Sequence, residues 1–135
     1  MTESEVRTLM AKFGAAFRAG DADAAAACLA DDFTWQLPAG NGDPRGQVLQ
    51  GRDAALRYLR ERFAEQQRGG NGVVFSDSRM EVFGDMVILR YRVRGMAEGG
   101  LPVDAMGLDV FRVANGRLLS KDAYWKQVTW PISSQ

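Results

Sequence analysis

The sequence has no histidine and a single cysteine, and its seventeen Lys and Arg are balanced by seventeen Asp and Glu across 135 residues. Without histidine there is no His-rich metal site, no Ser–His or Cys–His nucleophile pair and no imidazole pH switch. Any acid–base work falls to carboxylates, lysine, tyrosine or water. Cys28 alone cannot close an intramolecular disulfide, which fits a reducing compartment. With no excess charge there is no global field to attract nucleic acid or an anionic membrane, and neither partner is expected. The chain has no apolar run of membrane-spanning length and no signal-peptide core, so a cytoplasmic location is expected. Phosphate-binding glycine loops are missing too, since "GQVLQGRD" matches neither common type. No metal and no cofactor are expected.

What is there is an ordinary globular composition, 46% hydrophobic and 25% charged. This length predicts one domain, residues 1–135, burying roughly two-thirds of its unfolded surface. Thr2 and Glu5 have capping-box spacing, and Val6, Leu9, Met10, Phe13 and Phe17 follow at helical intervals up to a stop at Gly20. "DADAAAACLADD" predicts a short second helix from Asp21 or Asp23. "FTWQLP" alternates as a half-buried strand stopped by Pro38, and residues 39–50 read as a loop long enough to form a rim or lid. Gly51 opens a third helix running to about Gln67, with Ala55, Leu56, Leu59 and Phe63 on one side.

Beyond "RGGNG" the pattern turns to strands. Val73–Phe83 is rich in β-formers with an ambiguous inward face, and Gly84-Asp85 turns into Met86–Gly95. Gly99-Gly100 turns into Leu101–Val113, and Asn115-Gly116, which suits a type I′ hairpin, leads into the last strand. Helices first and antiparallel strands after them predict an α+β fold with helices on one face of a curved sheet. On the strand before the hairpin, Asp109 alternates with Phe111 and Val113, while Leu108, Val110 and Arg112 share the other face. A carboxylate in line with apolar residues is either a buried, neutralised structural group or a working one.

The pattern "FRAGDADAAAACLADDFTWQLP … GRDAALRYL … GLDVFRVANGRLLSKDAYWK" resembles the SnoaL-like and ketosteroid-isomerase-like members of the nuclear-transport-factor-two-like superfamily, over nearly the whole chain. The resemblance implies a cone: a bent antiparallel sheet with three helices over its concave side, an apolar pocket within, and a homodimer. Isomerases, polyketide cyclases, dehydratases, epoxide hydrolases and plain binding proteins share that shape, so fold alone does not choose among them. In ketosteroid isomerases an aspartate in "D-x-F-R-F" is held protonated to donate to the oxyanion. Asp109 in "LDVFRV" matches it, and Trp125 in "DAYW" matches a pocket tryptophan. The family's general base falls on Leu37, and its oxyanion tyrosine on Phe13. An epoxide-hydrolase aspartate would fall on Ala123, scytalone-dehydratase-like sites need histidine, and a SnoaL-type late-strand base is only approximated by Asp122.

Alternation groups Lys121, Ala123 and Trp125, and the resemblance makes theirs the pocket face. Lys121 is then the partner of Asp109, near it in register across the hairpin, and the two are the candidate catalytic pair. The candidate ligand-binding residues are Phe13, Phe17, Trp35, Leu37, Tyr91, Phe111 and Trp125, with core packing the alternative role for most of them. The resemblance puts Trp35 and Trp125 on the pocket wall. The arginine comb Arg90, Arg92, Arg94 reads as a solvated or intersubunit face, and Cys28 as helical packing. Met106, Leu108 and Val110 lie on the face opposite Asp109 and suggest cover by a second copy. Three readings stay open: an isomerase or a lyase/cyclase acting without metal on a small hydrophobic carbonyl compound, polyketide- or steroid-like; a non-catalytic binder of such a compound; and a dimerising interaction module.

Overall fold

The computed structural model describes residues 1–40 and 42–127. Its elements follow the sequence closely. Helix α1 spans Glu3–Ala19, α2 Ala22–Ala26 and α3 Arg52–Gln67; the strands are β1 Leu29–Gln36, β2 Val48–Gln50, β3 Val73–Phe83, β4 Met86–Ala97, β5 Leu101–Ala114 and β6 Arg117–Trp125. The Thr2 hydroxyl accepts from the Glu5 amide at 3.1 Å and the Glu5 carboxylate accepts from the Thr2 amide at 2.7 Å, which closes the capping box. Gly20, left-handed at φ 67°, ends α1. Asp21 caps α2 through the Ala24 amide at 3.0 Å. Among the described residues no helix is long and apolar enough to cross a membrane.

The strands form one curved, unclosed sheet of six in the order β2-β1-β6-β5-β4-β3, with α1, α2 and α3 supplying the other layer. It is an α+β fold of the cone-like kind. The sheet is mixed where the sequence suggests a wholly antiparallel one, because β1 runs parallel to β6, placing Trp35 beside Lys121. A strand that precedes α3 and the three-strand meander meets the last strand only after a long crossover, and local alternation carries no signal of its direction. The expected loop 39–50 gives its last three residues to β2, which pairs with Thr34–Gln36.

Two bulges set which side chains face the helices. In β3 the register slips between Ser76 and Arg79, where Asp77 takes φ 55°. Val73 and Phe75 therefore oppose the inward Gly95 and Val93, whereas Met80 and Val82 oppose Leu89 and Val87. Inward positions switch from odd to even numbers within one strand, which is why its inner face is ambiguous in the sequence.

The second bulge lies in the hairpin. Val113 pairs with Leu118, but Arg112 pairs with Ser120 and Phe111 with Lys121, so Leu119 is the extra residue. Counted from the Asn115-Gly116 turn without a bulge, Asp109 would oppose Asp122, and Lys121 would share the outer face with Val110. With it, Asp109 opposes Ala123, and Lys121 is the inward diagonal neighbour of Asp109. The expected proximity of Asp109 and Lys121 is thus met through a register that simple counting does not give.

The main core joins Leu9, Phe13, Leu29, Phe33, Leu59, Phe111 and Leu118 from both layers. A smaller cluster of Tyr91, Val93 and Val103 continues it toward the open end of the sheet, with Trp125 packed against it. Between the two clusters the concave face is not filled.

Candidate active site

That unfilled space is a cavity of about 590 Å³, within the size range of small-molecule sites. Phe17 of α1, Trp35 and Leu37 of β1 and its exit, Tyr91 of β4, and Trp125 of β6 supply much of its wall. Arg18, Arg62, Gln66 and Glu98 are among its polar lining. Asp109 and Lys121 also line it, and they are the two charged residues buried in the described chain.

Asp109 stands inward on β5 because its neighbours Phe111 and Val113 do. One carboxylate oxygen, Oδ1, accepts from the Tyr91 hydroxyl at 2.6 Å, and the Tyr91 oxygen accepts from Trp125 Nε1 at 2.9 Å. The other, Oδ2, lies 3.8 Å from Lys121 Nζ, an ion-pair distance too long for a hydrogen bond. Both side chains are less than a tenth exposed. Burial lifts the Asp109 carboxyl above the ordinary carboxylate range, opposed by the Lys121 charge and the Tyr91 hydrogen bond. Burial likewise lowers the Lys121 ammonium, opposed by Asp109. These shifts bring the two proton affinities toward each other.

Lys121 is ringed by aromatics. Its Nζ lies 4.6 Å from the Trp35 ring centroid, 4.8 Å from Phe17, 5.8 Å from Phe111 and 5.9 Å from Phe13. The ring faces attract a cation but offer no acceptor for its protons. Among the described residues no acceptor meets the buried Trp35 Nε1. Trp35 also meets Tyr58 edge to face at 5.2 Å, and the Tyr58 hydroxyl donates to Glu98 at 3.3 Å. Burial, followed by the Glu98 charge, pushes the Tyr58 pKa up to about 12.

Of the candidate ligand-binding residues, Phe17, Trp35, Leu37, Tyr91 and Trp125 reach the cavity. Phe13 and Phe111 do not line it; they meet each other at 6.1 Å inside the core, behind Lys121. They reach the site only through the rings that they turn toward the lysine. Asp122 is on the opposite face, where its carboxylate accepts from Tyr124 at 2.6 Å. Three contributors escape sequence reasoning. Tyr58 stands one turn from Ala55 at the edge of the α3 core face, partly buried against the main core. Phe75 stacks edge to face on Tyr91 at 5.0 Å, and the β3 bulge hides its inward orientation. Gly107 is the third: a Cβ there would lie 2.7 Å from Tyr91 and 2.8 Å from Trp125. Its missing side chain is what admits the Trp125–Tyr91–Asp109 chain, and the signal available was a glycine inside a strand with no turn to explain it.

An open sheet backed by three helices around a mostly apolar cavity is the cone-like architecture that this chain shares with solved nuclear-transport-factor-two-like proteins. Residues 10–120 match the sequence model of the SnoaL-like domain, and the chain belongs to that family. No curated protein matches the sequence. Among solved structures, an NTF2-like protein from Burkholderia xenovorans is 20% identical with a TM-score of 0.74, over 93% of this chain and 92% of that one. A candidate polyketide cyclase from Xanthomonas campestris is 23% identical at TM-score 0.71, with 91% of each chain covered. A candidate ketosteroid isomerase from Kribbella flavida is 18% identical at TM-score 0.70, over 97% of this chain and 84% of that one. At these identities the likeness is one of fold.

Proposed function

We propose that this protein binds a small hydrophobic carbonyl compound, polyketide- or steroid-like, and acts on it as an isomerase- or cyclase-type enzyme without metal. The oxygen of the compound sits at the Asp109–Lys121 pair, and its apolar body lies along Phe17, Trp35, Leu37 and Trp125. The observation that carries this reading is one buried Asp109–Lys121 ion pair in the wall of an otherwise mostly apolar cavity. Burying charges is expensive, and here the cost falls where a ligand's polar end needs a partner. The names borne by the Xanthomonas and Kribbella proteins agree with that class of compound. Leu37, where the resemblance implies a general base, favours a second reading in which the compound is held without turnover.

A matched pair of probes tests the binding. In tryptophan-quenching titrations 2-acetonaphthone should bind about tenfold more tightly than 2-ethylnaphthalene, the equivalent of about 1.4 kcal/mol for one polar contact. Lys121→Met should erase that difference. Equal affinities in the unaltered protein, or no binding of either probe, would overturn the proposal. A second copy of the chain over the outer sheet face, and a cytoplasmic setting for the single buried thiol of Cys28, belong to the same proposal.

A further inference from the structure

We propose that Lys121 is a nucleophile that captures the carbonyl carbon of its ligand as an imine, with Asp109 carrying the protons. This rests on the carbonyl-binding reading above and goes further, since a pair that only polarises an oxygen needs no covalent bond.

Three features of the geometry point to it. Lys121 lines the cavity from a buried position, so a bound carbonyl and the amine share one water-poor space. Its neighbours are ring faces and one carboxylate oxygen at 3.8 Å, so among the described residues no acceptor lies within hydrogen-bond distance of its protons, and desolvation favours the neutral amine with a free lone pair. The carboxyl beside it is held in place by Tyr91 through its other oxygen, leaving Oδ2 to exchange protons. A desolvated lysine beside a proton carrier is the arrangement in which an amine attacks carbonyls. The lowered proton affinity of Lys121 and the raised one of Asp109 agree with it.

The steps balance on these two residues alone. With the shared proton on Asp109, the Lys121 nitrogen bonds to the carbonyl carbon, and the oxygen takes that proton. The nitrogen returns a proton to the carboxylate, giving a neutral carbinolamine. Asp109 then protonates the hydroxyl, which departs as water while the nitrogen lone pair forms the C=N bond. The products are one water and an iminium paired with the Asp109 carboxylate. The iminium draws electrons from the adjacent carbon, and Asp109, now ionised, is placed to accept a proton. This supplies a base for isomerisation that Leu37 cannot.

The chain makes the test clean, because its lysines are Lys12, Lys121 and Lys126, and the first and last are exposed. An ordinary exposed lysine, with a pKa of about 10.4, is about 0.1% free amine at pH 7.4. The full chain is incubated at pH 7.4 with 6-methoxy-2-naphthaldehyde and cyanoborohydride, and the reduced adduct is located by peptide mass spectrometry. Binding of the corresponding alcohol, 6-methoxy-2-naphthalenemethanol, is followed in parallel by tryptophan quenching. Labelling at Lys121 should exceed that at Lys12 and Lys126 by on the order of tenfold or more, because the cavity holds the bound aldehyde beside that amine, and Asp109→Asn should slow it. If the alcohol binds while Lys121 labels no faster than the exposed lysines, the imine is wrong and the binding site stands. If neither probe binds, both proposals fall. The comparison among lysines is made in the unaltered protein, so it does not depend on a variant folding.

Discussion

Asp109 and Lys121 are each unfavourable alone and tolerable together. Removing one charge leaves the other buried without its counter-ion, at a cost of about 3–5 kcal/mol. Asp109→Asn and Lys121→Met should both lower thermal stability by that order, with opposite pH dependence. In Asp109→Asn the native Lys121 pKa is depressed by burial, so between that value and about 10.4 the unfolded chain holds more protons, and stability rises with pH relative to wild type. That contribution is lost as pH falls through the folded pKa. In Lys121→Met the native Asp109 pKa is raised, so from about 3.9 upward the native chain holds more protons, and stability falls as pH rises through the folded value. In wild type the pair keeps one proton in both states across the middle range, and these slopes cancel. Thermal melts of the three proteins from about pH 5 to pH 9 decide it; parallel curves would mean that the two groups do not titrate together. The inward position of Asp109 is legible from its alternation with Phe111 and Val113. Its bond to Tyr91 is not, because cross-strand partners eighteen residues apart depend on register rather than on local pattern.

At the scale of elements, the pattern of helices and strands is readable where the chain is regular and fails where it slips. Thr2 and Glu5, Gly20, and Asn115 with Gly116 mark boundaries because caps and left-handed turns need particular chemistry, and the structure puts the ends of α1 and the β5–β6 turn there. Bulges have no comparable signature in this chain, and one of them assembles the site. Leu119, the surplus residue of β6, is exposed, so its side chain contributes little; what matters is that the strand bulges it out of the pairing. Leu119→Ser should change stability by no more than about 0.5 kcal/mol. Deleting Leu119 should be tolerated nearly as well, because regular pairing of the shortened hairpin still sets Lys121 opposite Phe111 and Ala123 opposite Asp109. Near-ultraviolet circular dichroism and denaturant melts compare the two variants. A deletion variant far less stable than the serine variant, with its near-ultraviolet signal lost, would show that β6 depends on the bulge for more than the facing it sets.

For the whole molecule, the outer face of the sheet and the cavity within it make separate demands. Met106 is half exposed on that face and Tyr124 slightly more, beside the partly buried Leu108 and Val110, and an apolar strip of this kind suits a second copy of the chain. Light scattering at micromolar concentration should give a dimer that Leu108→Asp dissociates; a monomer that the substitution leaves unchanged would remove the idea. The cavity sets the last expectation, which concerns catalysis. A shared cone does not bring the usual ketosteroid isomerase mechanism with it, because the positions that resemblance assigns to the base and to the oxyanion tyrosine hold Leu37, in the cavity wall, and Phe13, in the core. A general base contributes about 10²–10⁴-fold, and leucine cannot take a proton from carbon. The unaltered protein should therefore turn over a Δ5-3-ketosteroid well below the order of 10 per second, and any turnover should pass through the amine of Lys121. Lys121→Met, assayed by the ultraviolet absorbance of the conjugated product, should abolish what rate there is. A rate on the order of 10 per second surviving in that variant would place a base elsewhere in the cavity and leave Lys121 a structural cation.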